Sequence, residues 1–320
     1  MRNRAGIRGR CENYFVINIE PSTPYQLASL TDDIKQHFLL TKSFGYANLQ
    51  SYFFSRWRSL DTVLSPFSHQ FLSDSSLPPA VRSLTLQARF GVLDYAKTLC
   101  PTCALPLSTS HVLTHCPSLA KLYTTRHNQA VYIVLKALLC GKLGGAVVQA
   151  DTSASQRADL LLTSRLPRSV PASVLGRSRI SLPSRPDITL YSPSTRSQRG
   201  FIYLVELKYS MEHTLPTSYD TATRQHQHSV SLLRSLRPDC DIRLVPIHLG
   251  ATGGVYSHLT LDSLTLLGLS GSVLSNAARH LHRHSILWLY SLLTKYQRVR
   301  FRPSTGRLTR IKLLQTSGVT

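Results

Sequence analysis

Two runs decide how this chain reads: Arg185-Pro186-Asp187-Ile188-Thr189-Leu190-Tyr191 and, after the polar stretch Ser192 to Gly200, Phe201-Ile202-Tyr203-Leu204-Val205-Glu206-Leu207-Lys208. The second alternates with the two-residue period of a strand, so Glu206 and Lys208 project from one face and Val205 and Leu207 from the other. The first also reads as a strand, over 187–191, and the Ser/Arg-rich residues between them as the joining loop. A hairpin folded symmetrically about Arg196 and Ser197 sets Asp187 opposite Glu206, and directly opposed residues share a face. Two carboxylates and an ammonium then converge.

Those three residue types have a shared chemistry. Hard carboxylates hold Mg2+ while leaving positions for water and a phosphate oxygen, and the ion offsets charge that develops at phosphorus. A lysine beside them faces the scissile phosphate. Asp187, Glu206 and Lys208 are therefore the candidate catalytic residues, with Asp187 and Glu206 as magnesium ligands. The plain alternative is a surface Glu/Lys pair beside an Asp at a strand start, because so short a motif recurs by chance.

Composition favours a polyanionic partner. There are 37 Lys and Arg against 16 Asp and Glu, a formal net charge of +21, and the basic residues are spread through folded-looking segments instead of forming a tail. Nucleic acid is the expected partner. No stretch reaches the roughly 18 apolar residues of a membrane helix, and the first ten residues lack an apolar signal core, so the chain reads as intracellular and not secreted. With 320 residues and 42% hydrophobic content it is long enough for two or three small domains with cores.

Of the six cysteines, Cys100, Cys103 and Cys116 crowd together while Cys11, Cys140 and Cys240 stand apart. Cys100-Pro-Thr-Cys103, followed by His111 and then His115-Cys116, has the spacing a tetrahedral Zn2+ requires. The fourth ligand is Cys116 or His115, and the softer thiolate is preferred. Directly after it, Leu122-Tyr-Thr-Thr-Arg126-His127-Asn128 opens a helix in which Val131, Val134, Leu135 and Leu138 recur at apolar spacing. Arg126 and His127 at its leading end suit a phosphate. With Arg185 they are the nucleic-acid-binding candidates.

In this order, Cys-x2-Cys-x7-His-x4-Cys, Arg-His-Asn, Arg-Pro-Asp and Glu-x-Lys resemble the C-terminal region of site-specific non-LTR retrotransposon proteins, which carry a restriction-like endonuclease. The resemblance covers roughly residues 80 to 300. Val81 to Gly91 is similar to the helix before the zinc knuckle in that family, Val245 to Gly254 to its late core strand and glycine turn, and Ser285-Ile-Leu-Trp288 to its closing helix. It implies that Asp187, Glu206 and Lys208 form the catalytic site and that Arg126, His127 and the knuckle contact DNA. Eighteen residues separate Asp187 from Glu206, more than is usual in the family, and the surplus falls in the polar loop.

The fold implied is α/β: a restriction-endonuclease-like core, a mixed central sheet flanked by helices, preceded by a small zinc knuckle and a mainly helical segment. The expected domains are a helical linker over 1–80, a CCHC knuckle over 81–120 and the endonuclease domain over 121–320. Within the last, 141–184 reads as a long Ser/Arg/Pro-rich inserted or mobile loop. Tyr219 to Arg237 reads as a helix with Ala222, His226, Val230 and Leu233 on its apolar edge, and Ile242 to Leu249 as a buried strand. Leu274 to Tyr296 reads as a long helix, with Leu274, Ala278, Leu281 and Trp288 inward and Arg279, His282, Arg283 and His284 as a cationic surface. Tyr219 reads as packing near the site. In the first 80 residues, Tyr46, Tyr52, Phe53, Phe54 and Trp57 fit a helical core better than a stacking platform.

Two functions fit these residues. One is a Mg2+-dependent endonuclease that nicks DNA and leaves a 3′-hydroxyl for target-primed reverse transcription, with the element RNA as a further partner and the nucleus as its place of action. No Tyr-x-Asp-Asp polymerase motif is present, so the chain reads as the tail of a larger polyprotein whose reverse transcriptase lies elsewhere. The other is a catalytically inactive zinc-containing nucleic-acid-binding remnant. The intact Asp187, Glu206 and Lys208 favour the first.

Overall fold

The computed structural model describes residues 64–89, 99–152, 166–176, 181–211 and 214–300, with side chains up to 296. The aromatic group from Tyr46 to Trp57 lies outside the described residues. The elements are a 3-10 helix Pro66–Leu72, α1 (Pro79–Arg89), α2 (Ala120–Leu139), β1 (Val147–Ala150), the single turn α3 (Ala172–Leu175), β2 (Ile188–Ser192), β3 (Gly200–Ser210), α4 (Leu215–Leu236), β4 (Cys240–Gly250), the short α5 (Asp262–Leu266) and α6 (Gly271–Arg300).

The hairpin forms in the register the sequence implied. Ile188 pairs with Val205, Leu190 with Tyr203 and Ser192 with Phe201, all antiparallel. The sheet order is β1-β2-β3-β4, antiparallel up to β3 and then parallel, with Glu206 beside Pro246 and Lys208 beside His248. Helix α4 supplies the crossover that a parallel pair needs. Pro246 is tolerated because β4 is an edge strand, where a missing N–H need not break a ladder.

β3 is buried on both faces from Leu204 to Leu207, and its alternation sorts two cores. Val205 and Leu207, with Ile188, Leu190, Val245, Ile247 and Leu249, pack under Val131, Val134, Leu135 and Leu138 of α2 and Leu281 of α6. Ile202 and Leu204, with Ile242, pack against Leu233 of α4 and Val174 and Leu175 of α3. Helices on both faces of a mixed sheet make an α/β sandwich. Each of these side chains contributes about 1.5–3 kcal/mol of apolar burial, so the strand carrying Glu206 and Lys208 is among the least movable parts of the molecule.

Two expectations are corrected. The segment 141–184 is not a plain inserted loop: it contributes β1, and Gln149 there is fully buried, accepting from Thr189 Oγ1 (2.7 Å) and donating to the Pro186 carbonyl (3.2 Å). A four-residue strand with a register shift between Val147 and Gln149 is too short for its period to show. Nor do His282 and His284 belong to a cationic surface. His282 is buried, its Nδ1 donating to the Gly253 carbonyl (2.7 Å) and its Nε2 accepting from the Phe71 amide (3.1 Å), which defines a neutral ring. His284 is half-buried against Tyr209. Gly253 itself has φ +91°, and a Cβ there would lie 2.4 Å from Ile286 Cδ1, so the turn after β4 needs glycine.

Candidate functional site

Cys100, Cys103, His111 and Cys116 bring their ligand atoms within 4.8 Å of one another. Cys100 Sγ and Cys116 Sγ are 3.8 Å apart and Cys103 Sγ lies 3.3 Å from His111 Nε2. Two sulfurs bound tetrahedrally to zinc at ~2.3 Å stand about 3.8 Å apart, so the cluster can hold a metal ion and is compatible with structural zinc. His111 opens a single π-helical turn, His111–His115, which carries Cys116 back beneath the Cys100 turn. His115 is exposed and bonds the Thr114 hydroxyl (2.6 Å); the fourth donor is Cys116. Burial raises the Cys100 thiol, but hydrogen bonds to the Thr102 side chain and backbone outweigh it and bring the group down to about 5, which favours the thiolate a metal binds. The cysteines share an apolar cluster with Val112, Leu113 and Leu119 and with Leu289, Leu292 and Leu293 of α6, so the knuckle is seated on that helix.

The second site lies at the end of the hairpin. Asp187 directly precedes β2; its amide donates to the Val205 carbonyl (3.0 Å) and its carbonyl accepts from the Asp151 amide (2.8 Å). Its carboxylate Oδ2 accepts from the amide of Leu207 (2.7 Å), the residue between Glu206 and Lys208, and Oδ1 accepts from His127 Nε2 (2.8 Å). Glu206 Oε1 lies 2.6 Å from Lys208 Nζ and Oε2 lies 3.0 Å from His226 Nε2. Gln225 joins the pair: Lys208 donates to its Oε1 (2.9 Å) and its Nε2 donates to Glu206 (3.4 Å).

The two carboxylates sit in opposite electrostatic settings. Burial raises the Asp187 pKa above the usual carboxylate range, and the Glu206 charge adds to this against the help of His127. Burial acts on Glu206 too, but His226 and Lys208 outweigh it and its pKa falls. His127 loses proton affinity to burial and regains more from Asp187, so its pKa rises. A group kept ionised next to one straining against ionisation is a setting that a cation would relieve.

Two nucleic-acid candidates change role. Arg126 is 3% exposed: it repeats at the i+4 spacing of Ala130 and Val134 and so belongs to the inward stripe of α2. Its guanidinium donates to the Leu113 carbonyl (3.1 Å) and lies 4.2 Å from the Tyr209 ring centroid and 5.4 Å from that of Tyr123. A cation so enclosed does not reach a phosphate; it ties the knuckle turn to β3. His127, expected on a phosphate, is instead bonded to Asp187. Arg185 is on the surface and paired with Asp151 (2.8 Å), as is Arg168.

Sequence reasoning missed Gln225, His226 and His248 as members of this site. His226 read as part of an apolar edge, and its position on α4 does follow the buried stripe Ala222, His226, Ser229, Leu233; two polar residues in such a stripe were the available signal. His248, fully buried beside Lys208 in the β3–β4 ladder, is held down to about 4 by burial and by the Lys208 charge. Tyr219, expected to pack, is 40% exposed with its ring 5.8 Å from that of His248. No protein-family model and no curated protein matches the chain.

Proposed function

We propose that this chain is a Mg2+-dependent DNA endonuclease with a restriction-endonuclease-like core and a structural zinc knuckle. The observation that carries the reading is the bond from the Leu207 amide to Asp187, which sets the Asp187 carboxylate against the backbone between Glu206 and Lys208. The mixed sheet flanked by helices supports it, as does the net charge of +21. Asp187 and Glu206 would hold the ion. Each of their oxygens already has a protein partner, but an ionised carboxylate offers about four acceptor positions, and the flanking Lys208 and His127 side chains are 27% and 30% exposed.

When bound, Mg2+ supplies Lewis-acid polarisation of a phosphate oxygen. The chain's own residues do the rest. Lys208, held by Glu206 and Gln225, keeps a positive charge at the mouth of the site to face the scissile phosphate. His127 orients Asp187. The many exposed basic residues bind the phosphate backbone without regard to sequence, through counterion release. In a retrotransposon setting the resulting nick would present a 3′-hydroxyl to a reverse transcriptase elsewhere in the polyprotein.

Plasmid nicking tests this. With Mg2+ the protein should convert supercoiled DNA to the open-circular form, and Asp187→Asn should lose that activity while keeping salt-dependent DNA binding. Binding without nicking by the parent protein would replace this reading with that of a zinc-containing nucleic-acid-binding protein.

A further inference from the structure

Helix α4 does more than cover the sheet. His226 is wholly buried, and its two ring nitrogens face the two arms of the carboxylate site. Nε2 lies 3.0 Å from Glu206 Oε2, on β3, and Nδ1 lies 2.8 Å from the hydroxyl of Ser184, three residues before Asp187. One helical turn on, Ser229 is also fully buried. It accepts from the Ser184 amide (3.1 Å) and its hydroxyl is 2.7 Å from that of Ser184.

The tautomer of the His226 ring sets the direction of donation among these groups. With the proton on Nε2, Ser184 N–H donates to Ser229 Oγ, the Ser184 hydroxyl donates to His226 Nδ1, and Nε2 stands 3.0 Å from Glu206 Oε2 as an electrostatic contact outside aligned hydrogen-bond geometry. Ser229 Oγ also lies within donating reach of the Ser184 carbonyl (3.4 Å), so both buried hydroxyls are partnered in either tautomer, and the Nε2–H form turns a hydrogen toward Glu206. Polar side chains in the inward stripe of a helix are costly unless partnered. Here the partners are the strand residue that would bind metal and the segment that delivers the second carboxylate.

We infer that His226, with Ser184 and Ser229, is a positioning residue that sets Glu206 relative to Asp187 for one divalent ion. This rests on the metal-dependent reading above. The role is that of an outer partner: such groups hold a ligand's orientation, and their loss typically costs about 10- to 100-fold in metal affinity or activity. His127 serves Asp187 in the same way from the opposite helix, α2, so each carboxylate has its own histidine. The His226 arm adds a side-chain link between Glu206 and the Ser184 segment that leads into Asp187.

The test uses the zinc-loaded full chain, with Mn2+ binding followed by electron paramagnetic resonance and plasmid nicking measured in parallel. His226→Leu keeps the volume and removes both contacts; it should weaken Mn2+ about tenfold and slow nicking in step, with DNA binding unchanged. His226→Gln retains a donor toward Glu206 and should return to within about threefold of the parent. Ser184→Ala, which removes only one hydroxyl, should fall between them, and it decides the matter by itself if the circular dichroism of His226→Leu shows loss of fold. Parent-like Mn2+ affinity and nicking in both His226→Leu and Ser184→Ala would overturn the positioning role and leave the nuclease reading standing. Mn2+ binding that is the same in the parent and in Glu206→Gln would overturn both.

Discussion

The knuckle and the carboxylate site are both built from short motifs, yet their donor groups are engaged in different ways. The four donors of the knuckle already lie within 4.8 Å of one another, with the Cys100 and Cys116 sulfurs at 3.8 Å, and its cysteines are seated in the apolar cluster of α6. The carboxylates of the hairpin are each engaged by a histidine, and Glu206 also by Lys208. A closed set of soft donors is a structural device whose stability is inseparable from the ion. Hard donors with removable partners suit an ion that comes and goes with substrate. On the proposed reading, one architecture separates holding a shape from doing chemistry.

The widest gap between the two regions should appear on removing one donor from each. Cys116→Ser is expected to lose zinc and, with it, stability on the order of 10 kcal/mol of apparent binding energy, read as a collapse of the thermal transition and parent-like zinc release on denaturation no longer seen. Glu206→Gln should leave zinc content intact and melt near the parent while nicking falls at least about a thousandfold, about 4 kcal/mol in the barrier. Equal melting losses in the two variants would erase the distinction.

Arg126 spans both regions, so replacing it should break their separation. Arg126→Ala removes the bond to Leu113 and the stacking on Tyr209 and leaves a void, at a cost of about 3 kcal/mol. It should lower the denaturation midpoint without changing the salt slope of DNA binding. A reduced slope would return Arg126 to the phosphate-contacting role first expected of it.

A smaller effect follows from α6, on which both regions lean. Burial holds His282 down to about 3, so below its ordinary value near 6.5 the unfolded chain takes up a proton that the native chain refuses. Stability contributed by the neutral ring is present above pH 6.5 and lost as pH falls toward 3, by about 1.4 kcal/mol per unit. His248 and His284, held down to about 4 and about 3, act in the same direction, so between pH 5.5 and 4.5 urea unfolding of His282→Gln should show a slope about 1.4 kcal/mol per unit shallower than that of the parent. Smallest is Ala104, which adopts φ +56° in the knuckle turn. Ala104→Gly should relieve about 1 kcal/mol and raise the melting midpoint without altering zinc content.

Legibility followed the same divide. The hairpin register was readable because a period of two and a polar loop leave one symmetric pairing, and the cysteine set because ligand spacing is a local property. Arg126 was not, since a cation at a helix start looks solvated until the 126, 130, 134 repeat is weighed against the sheet beneath it. β1 was missed because four residues show no period. His226 was seen as inward but not as a partner of Glu206, because that contact depends on how the crossover helix lies across the sheet, which no local pattern encodes. The placement of Asp187 was half legible: the pairing with β3 held, but its bond to the Leu207 amide is made where the ladder ends.

The segment before α1 adds a consequence in time. Leu64 bridges Tyr256, and the hydroxyls of Ser65 and Ser68 both donate to the Val255 carbonyl, across 190 and 187 residues of chain. During synthesis at about 5–20 residues per second, that early segment waits on the order of ten to forty seconds for its partner to emerge from the ribosome. Closing so long a loop comes late in folding. Until then Phe71, Leu77 and Val81, which end up against Ile286, lack that cover, so this apolar face stays open to solvent in the nascent chain for as long as α6 is unmade.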